Sequence, residues 1–145
     1  MSVRLFRIFS ASTFACTVLL HPFAAIAADD AQEAAAIRTL IGTTFDKPKA
    51  KVQTDPVAIV GDYAVADWIQ GKRGGRALIR RNKDSKWEIA LCAGKGLTER
   101  TTLEQSGIPA ESAKTLLEKL AQVEKDVPAA RRHKFDLFRD KGSMK

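Results

Sequence analysis

The chain has 145 residues, with 24 Lys and Arg against 17 Asp and Glu, a net charge of +7 and 45% hydrophobic residues. That composition supports one modest hydrophobic core. It argues against a nucleic-acid protein, whose basic residues gather along one element with a recognisable motif, whereas here they are interleaved with acids.

Arg4 and Arg7 precede an interrupted apolar run that ends in Ala25-Ile26-Ala27. A basic start, a short hydrophobic stretch and small residues before a cleavable bond predict a secretory signal peptide over 1–27, cleaved after Ala27, and hence a periplasmic protein. The run is too short to span a bilayer, so no membrane span is expected after cleavage. Cys16 lacks the leucine three positions upstream that lipid attachment would want. Removing Arg4 and Arg7 with the signal takes two from the net charge of +7 and leaves +5 on residues 28–145, which read as a single domain over 28–139 and a disordered tail over 140–145. Only Cys92 then remains, so the fold must stand without an intramolecular disulfide.

Ala34, Ile37, Ile41 and Phe45 recur at helical spacing, with Asp30 and Glu33 placed as in a capping box, which predicts a helix over 30–43. Lys47-Pro48 ends it, and a connector runs to Pro56. From there the period becomes two. Val57 to Val60, Tyr63 to Ile69, Arg76 to Arg81 and Trp87 to Cys92 read as four strands separated by Gly61-Asp62, by residues 71–75 and by residues 82–85. Strict alternation would put Trp87, Ile89 and Leu91 on one face and Glu88, Ala90 and Cys92 on the other. Helical spacing returns over 100–105, closed by Gly107, and over 109–125, where Ala113, Leu116, Leu117, Leu120 and Val123 form an apolar stripe. Pro128 starts a last short segment carrying Phe135 and Phe138. The expected class is α+β: an N-terminal helix, an antiparallel meander and C-terminal helices packed on one face of the sheet. By element order this is similar to the cystatin-like and NTF2-like folds, which host binding modules and enzymes alike.

Three groups of residues are candidates for chemistry. Cys92 and His133, with Met144, are of the types that hold copper, although Cys92 on a strand also reads as a buried small residue and His133 stands in a basic run. Arg73 and Arg76, beside Trp68 at a glycine-rich turn, read as a partner-binding surface; solvated strand ends are the simpler account. Residues 94–98, Gly-Lys-Gly-Leu-Thr, lack the spacing of a phosphate loop. One histidine after cleavage and no Gly-x-Ser-x-Gly elbow leave no catalytic arrangement to argue, so no enzyme is expected.

The stretch from Thr44-Phe45-Asp46-Lys47-Pro48 through Gly61-Asp62-Tyr63 and Gln70-Gly71, then Arg73 to Arg81, ending at Leu91-Cys92-Ala93-Gly94, resembles the bacterial copper uptake system-associated proteins. Residues 70–81 are its most particular part, and the likeness runs on through Gly107-Ile108-Pro109 to about Val123. The resemblance implies a small exported protein associated with copper uptake, with a component of that system as a possible partner and copper as a possible ligand. Several such proteins end in a long histidine-rich tail, whereas this sequence reaches Lys145 without one, which shifts the expectation from holding copper to protein contact. A small-ligand binding protein, with its pocket between sheet and helices, is the alternative.

Overall fold

A computed structural model describes residues 23–138; the signal segment as far as residue 22, with Cys16, and the terminal residues from 139, with Met144, lie outside them. The architecture is α+β. Helix α1 (Phe23–Phe45) buries Ala34, Ile37 and Ile41, as their spacing predicts. It starts seven residues earlier than the capping box suggested, because alanines at 24, 25, 27 and 28 favour helix. Asp30 and Glu33 therefore lie within α1 and act across layers. Asp30 accepts a hydrogen bond from Lys119 Nζ at 2.7 Å, and Glu33 pairs with Arg81 at 2.7 Å and accepts one from the Trp87 indole.

Strands β1 (Gln53–Val60), β2 (Tyr63–Gln70), β3 (Arg73–Arg81) and β4 (Trp87–Ala93) form an antiparallel meander in chain order. Gly61 and Gly71, at φ +55° and +61°, make the first two hairpin turns in a region that favours glycine. β3 starts three residues earlier than expected: Gly74 and Gly75 belong to the strand, paired with Ile69 and Trp68.

The larger departure is in β4. Leu91 pairs with Leu78 but Ile89 pairs with Ile79, so Ala90 is an extra residue, a β-bulge that breaks the alternation. Trp87, Ile89 and Cys92 consequently pack on the α1 side, and Leu91 and Ala93 on the other. Cys92 is therefore opposite Leu91, as expected, but shares its face with Trp87 and Ile89, which strict alternation had placed opposite it.

Helices cover both faces of the sheet, not one. α1 lies over Ile59, Ala64, Ala66, Ala77 and Ile79. A 3-10 turn (Lys95–Thr98), α2 (Arg100–Gln105) and α3 (Ala110–Glu124) lie over Ala58, Val65 and Leu78, with Leu97, Leu103, Leu116 and Leu120 buried between the layers. Each of those leucines contributes roughly 1.5–3 kcal/mol by leaving water. The two-sided cover follows from β2 and β3 having apolar residues on both faces. No helix of the described residues is long and apolar enough to cross a membrane.

Helix α4 (Ala129–Phe135) buries Phe135 on the α3 side, after which residues 136–138 pass around the sheet to the α1 side. Three glycines make room for this strap. A Cβ on Gly74 would lie 2.6 Å from the Lys134 carbonyl oxygen, one on Gly75 would lie 2.7 Å from Phe138 Cβ, and one on Gly94 would lie 2.6 Å from the Asp136 carbonyl oxygen. Because Gly74 and Gly75 face opposite sides of the strand, contacts with Lys134 and then Phe138 trace the crossing.

Candidate functional site

The end of the molecule at the β2–β3 hairpin collects the features a binding surface needs. Gln70 Nε2 donates to the carbonyls of Phe45 and Ala50, both at 2.9 Å, and so ties the loop after α1 to the hairpin. Asp46 holds that loop from within: it accepts Val52 N at 2.7 Å and meets Lys51 Nζ at 3.1 Å. The Val52 hydrogen bond first, then Lys51, keep its carboxyl below the usual carboxylate range.

Between this loop, the sheet and the strap lies an open cleft of about 310 Å³ whose apolar walls are Phe45, Val52, Trp68, Cys92 and Phe138. Trp68 and Phe138 meet edge to face, with centroids 5.7 Å apart at 74°. Arg73 and Lys47 stand at the rim, exposed. Trp68 Nε1 is buried and donates to no group among the described residues. On the other side of the hairpin tip a second cleft of about 390 Å³ carries Lys51, Arg131 and Lys134 and no carboxylate. A third, of about 370 Å³ at the far end, is lined by arginines that are already paired: Arg80 with Glu88 at 2.8 Å, and Arg81 with Glu33 while stacked on Trp87.

Of the residues picked from sequence, Trp68, Arg73 and Cys92 meet in the aromatic cleft, but Arg76 does not belong with them. Arg76 is 3% exposed on the α3 side and cannot offer a contact surface. Its guanidinium is surrounded by carboxyl groups, with Nε 3.3 Å from Asp67 and 3.0 Å from Glu124, and Nη1 2.6 Å from Asp136. Phe135 packs beneath it, the ring centroid 5.7 Å from Cζ. Asp67, directly across the ladder, is fully buried, and neither of its oxygens accepts a hydrogen bond among the described residues. Burial first, and the neighbouring Glu124 second, push its carboxyl up to about 8 against the pull of Arg76. Such a shift favours the protonated, uncharged form of Asp67, in which an unanswered buried oxygen costs less than on a carboxylate. Arg76 itself is raised: burial pulls it down, but its bonds to Glu124 and Asp136 outweigh that. Its structural task is to fasten the strap.

His133 is exposed on α4, whereas Cys92 packs against the α1-side core, so the two do not form a joint site. Among the described residues no three His, Cys, Asp or Glu side chains are grouped to hold a metal ion. Burial pushes the Cys92 thiol up. Native Cys92 is therefore expected to react with a maleimide at least about tenfold more slowly than in denatured protein, since the thiolate is the nucleophile. Equal rates would show an open thiol. Cys92→Ser should stay folded at a cost of about 1 kcal/mol.

Sequence reasoning missed Phe45, Phe138, Lys51 and Lys134 as members of this end. Phe45 was read as part of the first helix's apolar stripe, whereas it is 41% exposed at the helix end. Comparison with protein-family models, curated proteins and solved structures returns no match.

Proposed function

We propose that this protein is a periplasmic, non-enzymatic accessory of a bacterial copper uptake system that acts by contact with a partner protein at the aromatic cleft. The observation that carries the contact role is the meeting of Trp68 and Arg73, with Phe138, at one exposed cleft: aromatic and arginine side chains are the residue types that dominate binding energy at interfaces. The setting comes from the sequence resemblance over residues 44–123. Copper accumulation under copper limitation tests both in the source organism. Deleting the gene should lower accumulation, the native chain should restore it, and Arg73→Glu should restore it poorly. Full rescue by Arg73→Glu would remove the cleft from the function, and no effect of the deletion would remove the setting.

Copper competition against a calibrated chelator, for Cu(I) and Cu(II) separately, should show only weak binding by the protein itself. Stoichiometric binding in roughly the nanomolar range, abolished by Cys92→Ser or His133→Ala, would make it a copper carrier instead. A small-ligand role is the second reading, favoured by the position of the cleft between α1 and the sheet and by its volume, which is at the lower end of the roughly 300–1,000 Å³ of ligand pockets.

A further inference from the structure

We propose that the partner segment received at the hairpin end is an acidic peptide with one apolar anchor side chain, the anchor entering the Trp68 cleft and its flanking carboxylates meeting the cations on either side. This rests on the reading of that cleft as a contact surface and names the chemistry of what it contacts.

The charge distribution at this end is one-sided. Lys47 and Arg73 stand at the aromatic cleft, Lys51, Arg131 and Lys134 at the second, and Lys72 at the tip between them. The nearby acids are occupied inside the fold, Asp46 by Lys51 and the Val52 amide, and Asp55 by Arg38 at 3.0 Å. Among the described residues Lys47, Lys72, Arg73 and Lys134 have no carboxylate within ion-pair distance. Carboxylates brought from outside would thus find donors whose charge is not already matched.

The apolar part is equally specific in form. Phe45 is 41% exposed at the lip, and Trp68, Val52, Cys92 and Phe138 form a concavity rather than a flat patch. A cavity of about 310 Å³ suits one large side chain seated among aromatic walls. Neither end of this chain supplies the occupant. Residues 1–22 contain Arg4 and Arg7 and no acid, and residues 139–145 read Arg-Asp-Lys-Gly-Ser-Met-Lys, so both carry the same sign as the surface. A second copy of the exported protein, at +7 less the two charges of Arg4 and Arg7, is repelled on average.

The test is fluorescence anisotropy of the exported protein with a fluorescein-labelled peptide in which glutamates and aspartates flank one central phenylalanine. Binding should weaken steeply with salt, and by at least about tenfold with Lys47→Glu/Arg73→Glu. It should weaken as much when glycine replaces the phenylalanine. Lys83→Glu/Lys86→Glu, at the far end, makes the same change in net charge and should leave affinity within about twofold. Equal loss in both double variants, no binding of the peptide, or indifference to the phenylalanine would each overturn the proposal. So would preferential binding to phosphatidylglycerol vesicles, which would make this a membrane-facing surface, or concentration-dependent dimers blocked by the peptide. A partner contact at the cleft that survives in cells while the acidic peptide fails would discard the peptide chemistry and leave the contact role standing.

Discussion

Gly94→Ala is expected to detach the strap and to destabilise the protein by about 2–4 kcal/mol. The added methyl would lie 2.6 Å from the carbonyl oxygen of Asp136 and 2.7 Å from that of Phe138. Both obstacles are backbone atoms, so no rotamer change relieves them. The strap must move as a body, and with it go the Asp136 bond to Arg76 and the edge-to-face contact of Phe138 with Trp68. Denaturant unfolding gives the loss, and hydrogen exchange localises it: amides of 129–138 should exchange early while α3 and β2 stay protected. An unchanged midpoint would show that the strap adjusts freely. Gly42→Ala is the matched control, since its Cβ would meet only an Asp46 carboxylate oxygen at 3.9 Å.

Arg76→Leu should cost more, about 3–5 kcal/mol, because it leaves Asp67, Glu124 and Asp136 gathered without their cation. Part of that cost returns if Asp67→Leu is made in the same chain, since this removes a buried carboxyl left with neither Arg76 nor a hydrogen bond. The same cluster sets a pH dependence of definite sign. Unfolded Asp67 titrates near 3.8 and folded Asp67 near 8, so between those values the folded state holds the extra proton. Its contribution is complete below about pH 4, declines as pH rises and is lost above about pH 8, with a slope on the order of 1 kcal/mol per pH unit. Glu33 and Asp46, whose carboxyls are lowered, act in the opposite direction and only at acid pH. The stability of the native protein minus that of Asp67→Asn should therefore fall from pH 5 to pH 8. A flat difference would mean that Asp67 is ionised in the fold.

The local parts of the fold were legible because they are set by neighbours in sequence. The period of α3, the glycine turns at 61 and 71 and the short α2 needed no distant information, and each is in the structure. The bulge at Ala90 was not legible, because one extra residue leaves no mark on an apolar strand until its partner's register is known. Arg76 was misplaced for a related reason. An arginine beside a glycine-rich turn reads as solvated, and the acids that take it inside are 48 and 60 residues further on. Asp67, embedded between Ala66 and Trp68 in an otherwise apolar strand, was the available hint. Trp68, Arg73 and Cys92 could each be picked out by type, but only the ladder, which sets Trp68 opposite Gly75 and Cys92 opposite Ala77, brings them to one cleft.

The early end of β4 has a consequence for how copies of this protein behave beside one another. Its pairing with β3 stops at Ala93 opposite Arg76, so residues 73–75 are hydrogen-bonded to β2 on one side and, among the described residues, have no strand on the other. A short open edge of that kind, with two glycines and a tryptophan alongside, is a template on which another chain can add a strand. The crossing of residues 134–138 over Gly74 and Gly75 blocks that approach sterically. Fastening the strap through the Arg76–Asp136 bond thus also guards against aggregation. Variants that break that bond should therefore lose solubility before the sheet unfolds.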